Sequence, residues 1–383
     1  MVTYAIHANS FFLSGGPTGP GYLTVTDGVF GAFSTDAPSG VERIDERDLV
    51  APGLVDTHIH GFDGHDVMDL SADGLDAMAA GLVRNGCTSF FPTTLTAPTE
   101  RIAEACSIAA AHVNKPGCAK VQGIYLEGPW FSETYKGAQN PAYMGNPDLH
   151  VLEHWMDCAD GLAFKIALAP ENDGAAEFVA KATAMGAVVA LGHSNATYEE
   201  ARRAVDAGAT VFVHTYNAMS PLHHREPGMV GAALTCPGVY DEIICDGNHV
   251  NPVSVNVVVR ARGKDQVCLI TDCLAAGGMP EGDYVMEGLK VVVKDGQARL
   301  KEGGSLAGSI VGLCQCVKNV VDWGLVTPAE AVAMATVNPA KSVGIDDVCG
   351  SIKPGRDADM ACFTSSMEIE ATYVNGELAW SAL

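Results

Sequence analysis

From Leu54 onward the chain repeats one unit: a short β-rich apolar run, a polar or Gly/Pro turn, and a helical pattern that stops at glycine. The runs are LVDTHIH, CTSFFPTT, VQGIYLEG, AFKIALAP, AVVALGHS, TVFVHTYN, EIICDGNH and VCLITDC. Runs that are apolar almost throughout are buried on both faces, as in a parallel sheet. Eight of them separated by helices predict closure into a (β/α)8, TIM-like barrel. An open doubly wound sheet is the alternative, but no GxGxxG follows the first run and the count favours closure.

The intervening helices carry their own start and stop signals. ATYEEARRAVDAGA opens with Thr197 and Glu200 in capping-box spacing and stops at Gly208. In VNPVSVNVVVRARG, Asn251 caps, Pro252 takes the first helical position and Gly263 follows the basic end. Gly86 and Gly186 close two others. Residues 1 to 51 read differently, as short alternating strands such as YLTVTDGVFGAFS. GSIKPGRDADMACF and ATYVNGELAW look alike near the other end, the latter with an Asn375-Gly376 hairpin signal. The expected fold class is α/β: a barrel over residues 52–348, and a small β-sandwich built from both chain ends, 1–51 and 349–383. A further β stretch is expected at 284–300, then helices from near Ser309 and from Thr327.

With 383 residues, 48% of them hydrophobic and 18% charged, the chain has material for a deep core and a second small unit. Its formal net charge of -23 repels nucleic acid and anionic membrane, so neither is an expected partner, and an anionic substrate needs a local positive cluster. MVTYAIHANS has no charged segment leading into an apolar one, and no run approaches a membrane span, which predicts a cytoplasmic protein. The twelve cysteines are scattered without a CxxC pair, as reduced, buried small apolar side chains would be.

Barrel enzymes place their chemistry where strands end, at the C-terminal face. Here the candidate strands end in His58 and His60, Glu127, His193, His214, Asp246 with His249, and Asp272. Period-two alternation puts His58 and His60 on one face, which in a closed barrel is the interior. Each residue alone has a structural reading: a histidine bonded to a loop, Glu127 capping the Gly-Pro turn, Asp272 capping the next segment. Six of them at one mouth, His58, His60, Glu127, His193, His214 and Asp272, instead predict a site for zinc or a similar divalent ion.

PGLVDTHIHG, LEGPW, GHSNAT, HTYNAM, REPG, DGNHV and TD together resemble the N-acetylglucosamine-6-phosphate deacetylase family of the amidohydrolase superfamily. The likeness spans nearly the whole chain, through SLAGS near 305 to GSIKPGRDADM. It implies that Glu127, His193 and His214 hold a metal, and that His58, His60 and Asp272 can hold a second. One or two ions are implied, zinc first, with iron(II) or another divalent ion as alternatives. The implied reaction hydrolyses N-acetylglucosamine 6-phosphate to glucosamine 6-phosphate and acetate. Asp272 is the implied proton carrier, taking a proton from the attacking water and returning it to the amine. Ala138 and Gln139 in KGAQNP are implied near the acetyl group; some relatives carry histidine in place of Gln139.

Asn217, Ala218 and Arg225 are implied phosphate contacts, with Arg225 reaching the active site of a neighbouring subunit in a homodimer. A surface pairing of Arg225 with Glu226 is the alternative. His249, Leu306, Ala307 and Gly308 are implied to line the sugar pocket, whereas His65, His223 and His224 have no assigned role. Rival readings are the N-acetylgalactosamine 6-phosphate epimer, another amidase or deaminase of the superfamily, and a non-catalytic barrel. The want of a lysine at the tip of the fourth run and the presence of REPG count against the amidase or deaminase. The full ligand set counts against the non-catalytic barrel.

Overall fold

A computed structural model of the protein describes residues 3–286 and 289–382. Every expected run forms a strand: β1 (Leu54–Ile59), β2 (Cys87–Thr94), β3 (Gly123–Glu127), β4 (Ala163–Leu168), β5 (Val188–Leu191), β6 (Val211–Phe212), β7 (Tyr240–Ile244) and β8 (Val267–Ile270). They pair in parallel, in chain order. A parallel bridge from Ile59 to Cys273 and an Asp272 N–H to His58 carbonyl bond of 2.9 Å draw the two edges together. The result is a nearly closed eight-stranded barrel, as the sequence predicts.

Alternation along these strands sorts neighbouring residues into two layers. Phe90, Ile124, Ile166, Val189 and Phe212 pack outward against the helices, while Phe91, Tyr125, Ala167, Ala190 and Val211 fill the barrel interior. In β1, Val55 belongs to the interior and Ile59 to the outer layer, so parity changes between them. The ladder shifts register there, between Asp56 and Ile59. That irregularity lets Thr57 and His58 both reach Glu242 across the barrel.

The helix signals hold. Thr197 with Glu200 and Thr327 with Glu330 form reciprocal capping boxes, and Asn251 caps the helix that Pro252 begins. The helix expected from near Ser309 starts at Leu313. Ser309 is tied instead to the end of β8, its N–H bonding the Asp272 carbonyl and its hydroxyl the Thr271 carbonyl.

The two ends of the chain meet in one mixed sheet. Its order is Glu377–Ser381, Ile369–Val374, Met360–Phe363, Ile44–Pro52, Thr3–Leu13, Gly21–Thr26, Val29–Ser34. Ile6, Phe11, Leu23, Met360 and Tyr373 form its separate core. Asn375 (φ 49°) and Gly376 (φ 72°) both take the positive φ that a two-residue hairpin turn of this hand requires. Lys120 fastens the sheet to the barrel, its Nζ lying 2.8 Å from Asp357, 2.8 Å from Asp359 and 2.6 Å from Asn375. The predicted 284–300 stretch is a three-stranded sheet of Gly282–Met286, Leu289–Lys294 and Gln297–Leu300. Met1, Val2, Glu287, Gly288 and Leu383, which the expected segments include, lie outside the described residues. All twelve cysteines are free. No helix among the described residues is long and apolar enough to cross a membrane.

Candidate metal centre

The six candidate ligands converge. Glu127, closing β3, stands in the middle: its Oε1 lies 3.2 Å from His58 Nε2, 3.3 Å from His193 Nε2 and 3.2 Å from His214 Nε2. Its Oε2 lies 3.3 Å from His60 Nε2. Asp272 Oδ1 sits 3.1 Å from His60 Nε2 and 3.5 Å from His58 Nε2. Two ligating sets result, His58/His60/Asp272 and Glu127/His193/His214, and within each the donor atoms lie within 4.8 Å of one another. His193, His214 and Asp272 hold positive φ values of 46°, 33° and 48°, a left-handed backbone that bends the chain out of the ladder and into the mouth.

Whether these residues fit a cation can be judged from their outer nitrogens. His58 Nδ1 faces the Glu242 carboxylate at 3.2 Å, His60 Nδ1 the Thr93 carbonyl at 3.2 Å and His193 Nδ1 the Tyr135 carbonyl at 2.9 Å. Each partner is an acceptor, so each neutral ring carries its proton on Nδ1 and turns the Nε2 lone pair inward. Those lone pairs would face carboxylate oxygens, and His193 Nε2 lies 3.0 Å from His214 Nε2. Such an array is mutually repulsive without positive charge, and outer-sphere acceptors of this kind accompany metal-bound histidine. His58 Nε2, fully buried, has no hydrogen-bond partner among the described residues.

The electrostatics agree. Burial opposes a proton on His58, yet Glu127 and Asp272 outweigh it and lift the ring to about 9; the same carboxylates raise His60. Burial would also raise the two carboxyls, but the surrounding imidazoles hold Glu127 well below, and Asp272 below, the ordinary range. His214 moves the other way, lowered chiefly by burial. The donor set demands positive charge, and a divalent ion fits it.

A cavity of about 200 Å³ opens over the two sets, with His60, Glu127, His193, His214 and Asp272 in its wall. Ala138, Gln139, Asn217, Ala218, His249, Leu306, Ala307 and Gly308 line it, all of them candidates from sequence. Gln139 accepts the Thr96 N–H at 2.7 Å and donates to Glu127 Oε2 at 2.5 Å, which fixes its amide and leaves one N–H. Asp246 accepts from His249 Nδ1 at 2.7 Å and from the His249 N–H at 2.8 Å, orienting that ring. Arg225 stands elsewhere, in a surface cleft with Asn195, Thr197 and Pro221, its guanidinium 2.7 Å from His224 Nε2. His223 is exposed in the same cleft, and His65 pairs in a short antiparallel bridge with Phe62.

Sequence reasoning missed Asp66, Leu95, Gly137, Leu274 and Val291 in the cavity wall. It also missed Glu242, which supports His58, although a signal existed: stepping back by twos from Asp246 reaches Glu242 on the inward face.

Comparison with known proteins agrees with this geometry. The amidohydrolase family profile matches residues 49–379. An N-acetylglucosamine-6-phosphate deacetylase of Vibrio furnissii is 41% identical over 86% of this chain and 83% of its own. An N-acetylgalactosamine-6-phosphate deacetylase of Escherichia coli O157:H7 is 38% identical over 99% of this chain and 100% of its own. Among solved structures, a mutant N-acetyl-D-glucosamine-6-phosphate deacetylase of Mycobacterium smegmatis, in complex with N-acetyl-D-glucosamine-6-phosphate, superposes with a TM-score of 0.93 at 32% identity, covering all of both chains. The chain belongs to the amidohydrolase family, within its group of amino-sugar-6-phosphate deacetylases.

Proposed function

We propose that the protein hydrolyses the N-acetyl group of N-acetylglucosamine 6-phosphate, releasing acetate and glucosamine 6-phosphate. The observation that carries this reading is the convergence of four imidazole Nε2 atoms on Glu127 and Asp272 at the floor of a sugar-sized cavity. Glu127, His193 and His214 would hold one divalent ion and His58, His60 and Asp272 a second, zinc suiting this N/O donor set best. When bound, such an ion supplies Lewis-acid polarisation and lowers the pKa of water from 15.7 to about 7.

The chain's own residues do the rest. Asp272, held ionised, accepts a proton from the water that attacks the acetyl carbon and returns it to the departing nitrogen, so that an amine leaves rather than an amide anion. The remaining N–H of Gln139, whose amide is held by Glu127, would donate to the acetyl oxygen as charge develops there. His249, its Nδ1 secured by Asp246, offers Nε2 to a sugar hydroxyl or the phosphate. Asn217 and Ala218 supply amide donors, and Arg225, remote from its own cavity, supplies the phosphate's positive partner to a second copy in a dimer.

The galacto epimer is the second reading, favoured by the full-length likeness to the Escherichia coli relative. Acetate release from each phosphosugar by zinc-loaded protein separates the two. Higher kcat/KM on the gluco compound is expected; turnover of neither removes the assignment.

A further inference from the structure

A column of buried charge runs through the barrel beneath the metal sets. Lys165 on β4 is fully buried; its Nζ bonds Glu242 Oε1, lies 3.4 Å from the Thr57 carbonyl and 3.9 Å over the Tyr125 ring. Glu242 on β7 is equally buried, and its Oε1 also accepts the Thr57 hydroxyl at 3.1 Å. That leaves Oε2 for His58 Nδ1 at 3.2 Å. A fully buried ion pair is a poor source of stability, and apolar side chains of the same volume serve a barrel interior as well or better. This one lies against Tyr125 of the barrel's interior layer, and its free oxygen goes to a candidate ligand.

His60 and His193 have their Nδ1 held by neutral backbone carbonyls; His58 is held by a carboxylate. A carboxylate at Nδ1 both fixes the ring and makes Nε2 more basic. We propose that Lys165 and Glu242 are positioning residues for the second ion: Lys165 locks Glu242, and Glu242 presents His58 Nε2 to the His58/His60/Asp272 set. The inference rests on the reading above that this set takes a divalent ion.

Zinc titrated calorimetrically into metal-stripped full-length protein tests it. The parent is expected to bind two ions. Glu242→Gln, and the double variant Lys165→Met with Glu242→Met, should weaken one step by about 10- to 100-fold and leave the other within about twofold. A merely structural pair would lower the melting temperature and change both steps alike, or neither; either result in a folded variant overturns the proposal. Should the variants fail to fold, nitrogen NMR of the parent decides, since a proton found on His58 Nε2 rather than Nδ1 overturns it. Loss of the second step in a protein that deacetylates neither phosphosugar leaves this inference standing and removes the substrate assignment. A deacetylating parent that binds a single zinc does the reverse.

Discussion

Asp272 occupies a left-handed backbone at φ 48°, which apart from glycine is best tolerated by asparagine and aspartate. Asp272→Asn thus keeps the turn and the side-chain shape while removing the proton acceptor. Acetate release should fall by about 10²- to 10⁴-fold, the range for losing a general acid–base group. The Glu127/His193/His214 ion and the fold should persist, as metal analysis and circular dichroism would show. Asp241 makes a different prediction. It is fully buried, neither Oδ has a hydrogen-bond partner among the described residues, and Arg262 Nε is 3.8 Å away. Burial pushes its carboxyl well above the usual range, and Arg262 offsets only part of this. A folded-state value above the unfolded one favours the neutral acid. Its contribution is therefore complete below the ordinary aspartate pKa of about 4 and is lost as pH rises toward the folded value, by up to about 1.4 kcal/mol per pH unit. The stability of Asp241→Asn relative to the parent should accordingly improve over the interval in which pH rises above about 4. Urea titrations across that interval check it, and a difference that does not change with pH contradicts it.

At the scale of elements, the helices begin where short-range chemistry dictates. Thr197 bonds the Glu200 N–H at 3.2 Å and Glu200 bonds back to the Thr197 N–H at 2.8 Å. Thr197→Ala should cost about 1 kcal/mol in unfolding free energy; a chemical denaturation series measures it. Strand positions were equally legible, because a run apolar on both faces has few other places to go, and strand ends then located the ligands. The run 210–217 predicts a longer strand than forms: only Val211 and Phe212 lie in the ladder, since the chain turns out through His214, Tyr216 and Ala218 at positive φ. No glycine marks that turn, so the sequence carries no local sign of it. Nor does it reveal that Glu242 supports a ring 184 residues away, because that contact exists only once the barrel closes. The shape of the cavity wall likewise depends on loops such as that of Leu95 and on Val291 of the separate three-stranded sheet.

At the scale of the whole molecule, metal and fold are linked. An ion that binds only the native chain stabilises it by RT ln(1 + [L]/Kd), about 4 kcal/mol when the free ion stands at 1,000 times Kd. Stripping the protein with a chelator should lower its melting temperature, and restoring zinc should bring it back; calorimetric scans would show no difference if the two sets held nothing. The sheet made from both chain ends has its own consequence for biosynthesis. Strand Ile44–Pro52 pairs on one side with Thr3–Leu13 and on the other with Met360–Phe363. A ribosome that has completed every strand of the barrel has still not made the segment that seals the second side. Throughout translation of the intervening residues the nascent chain carries an open β edge, the surface on which polypeptides add to one another.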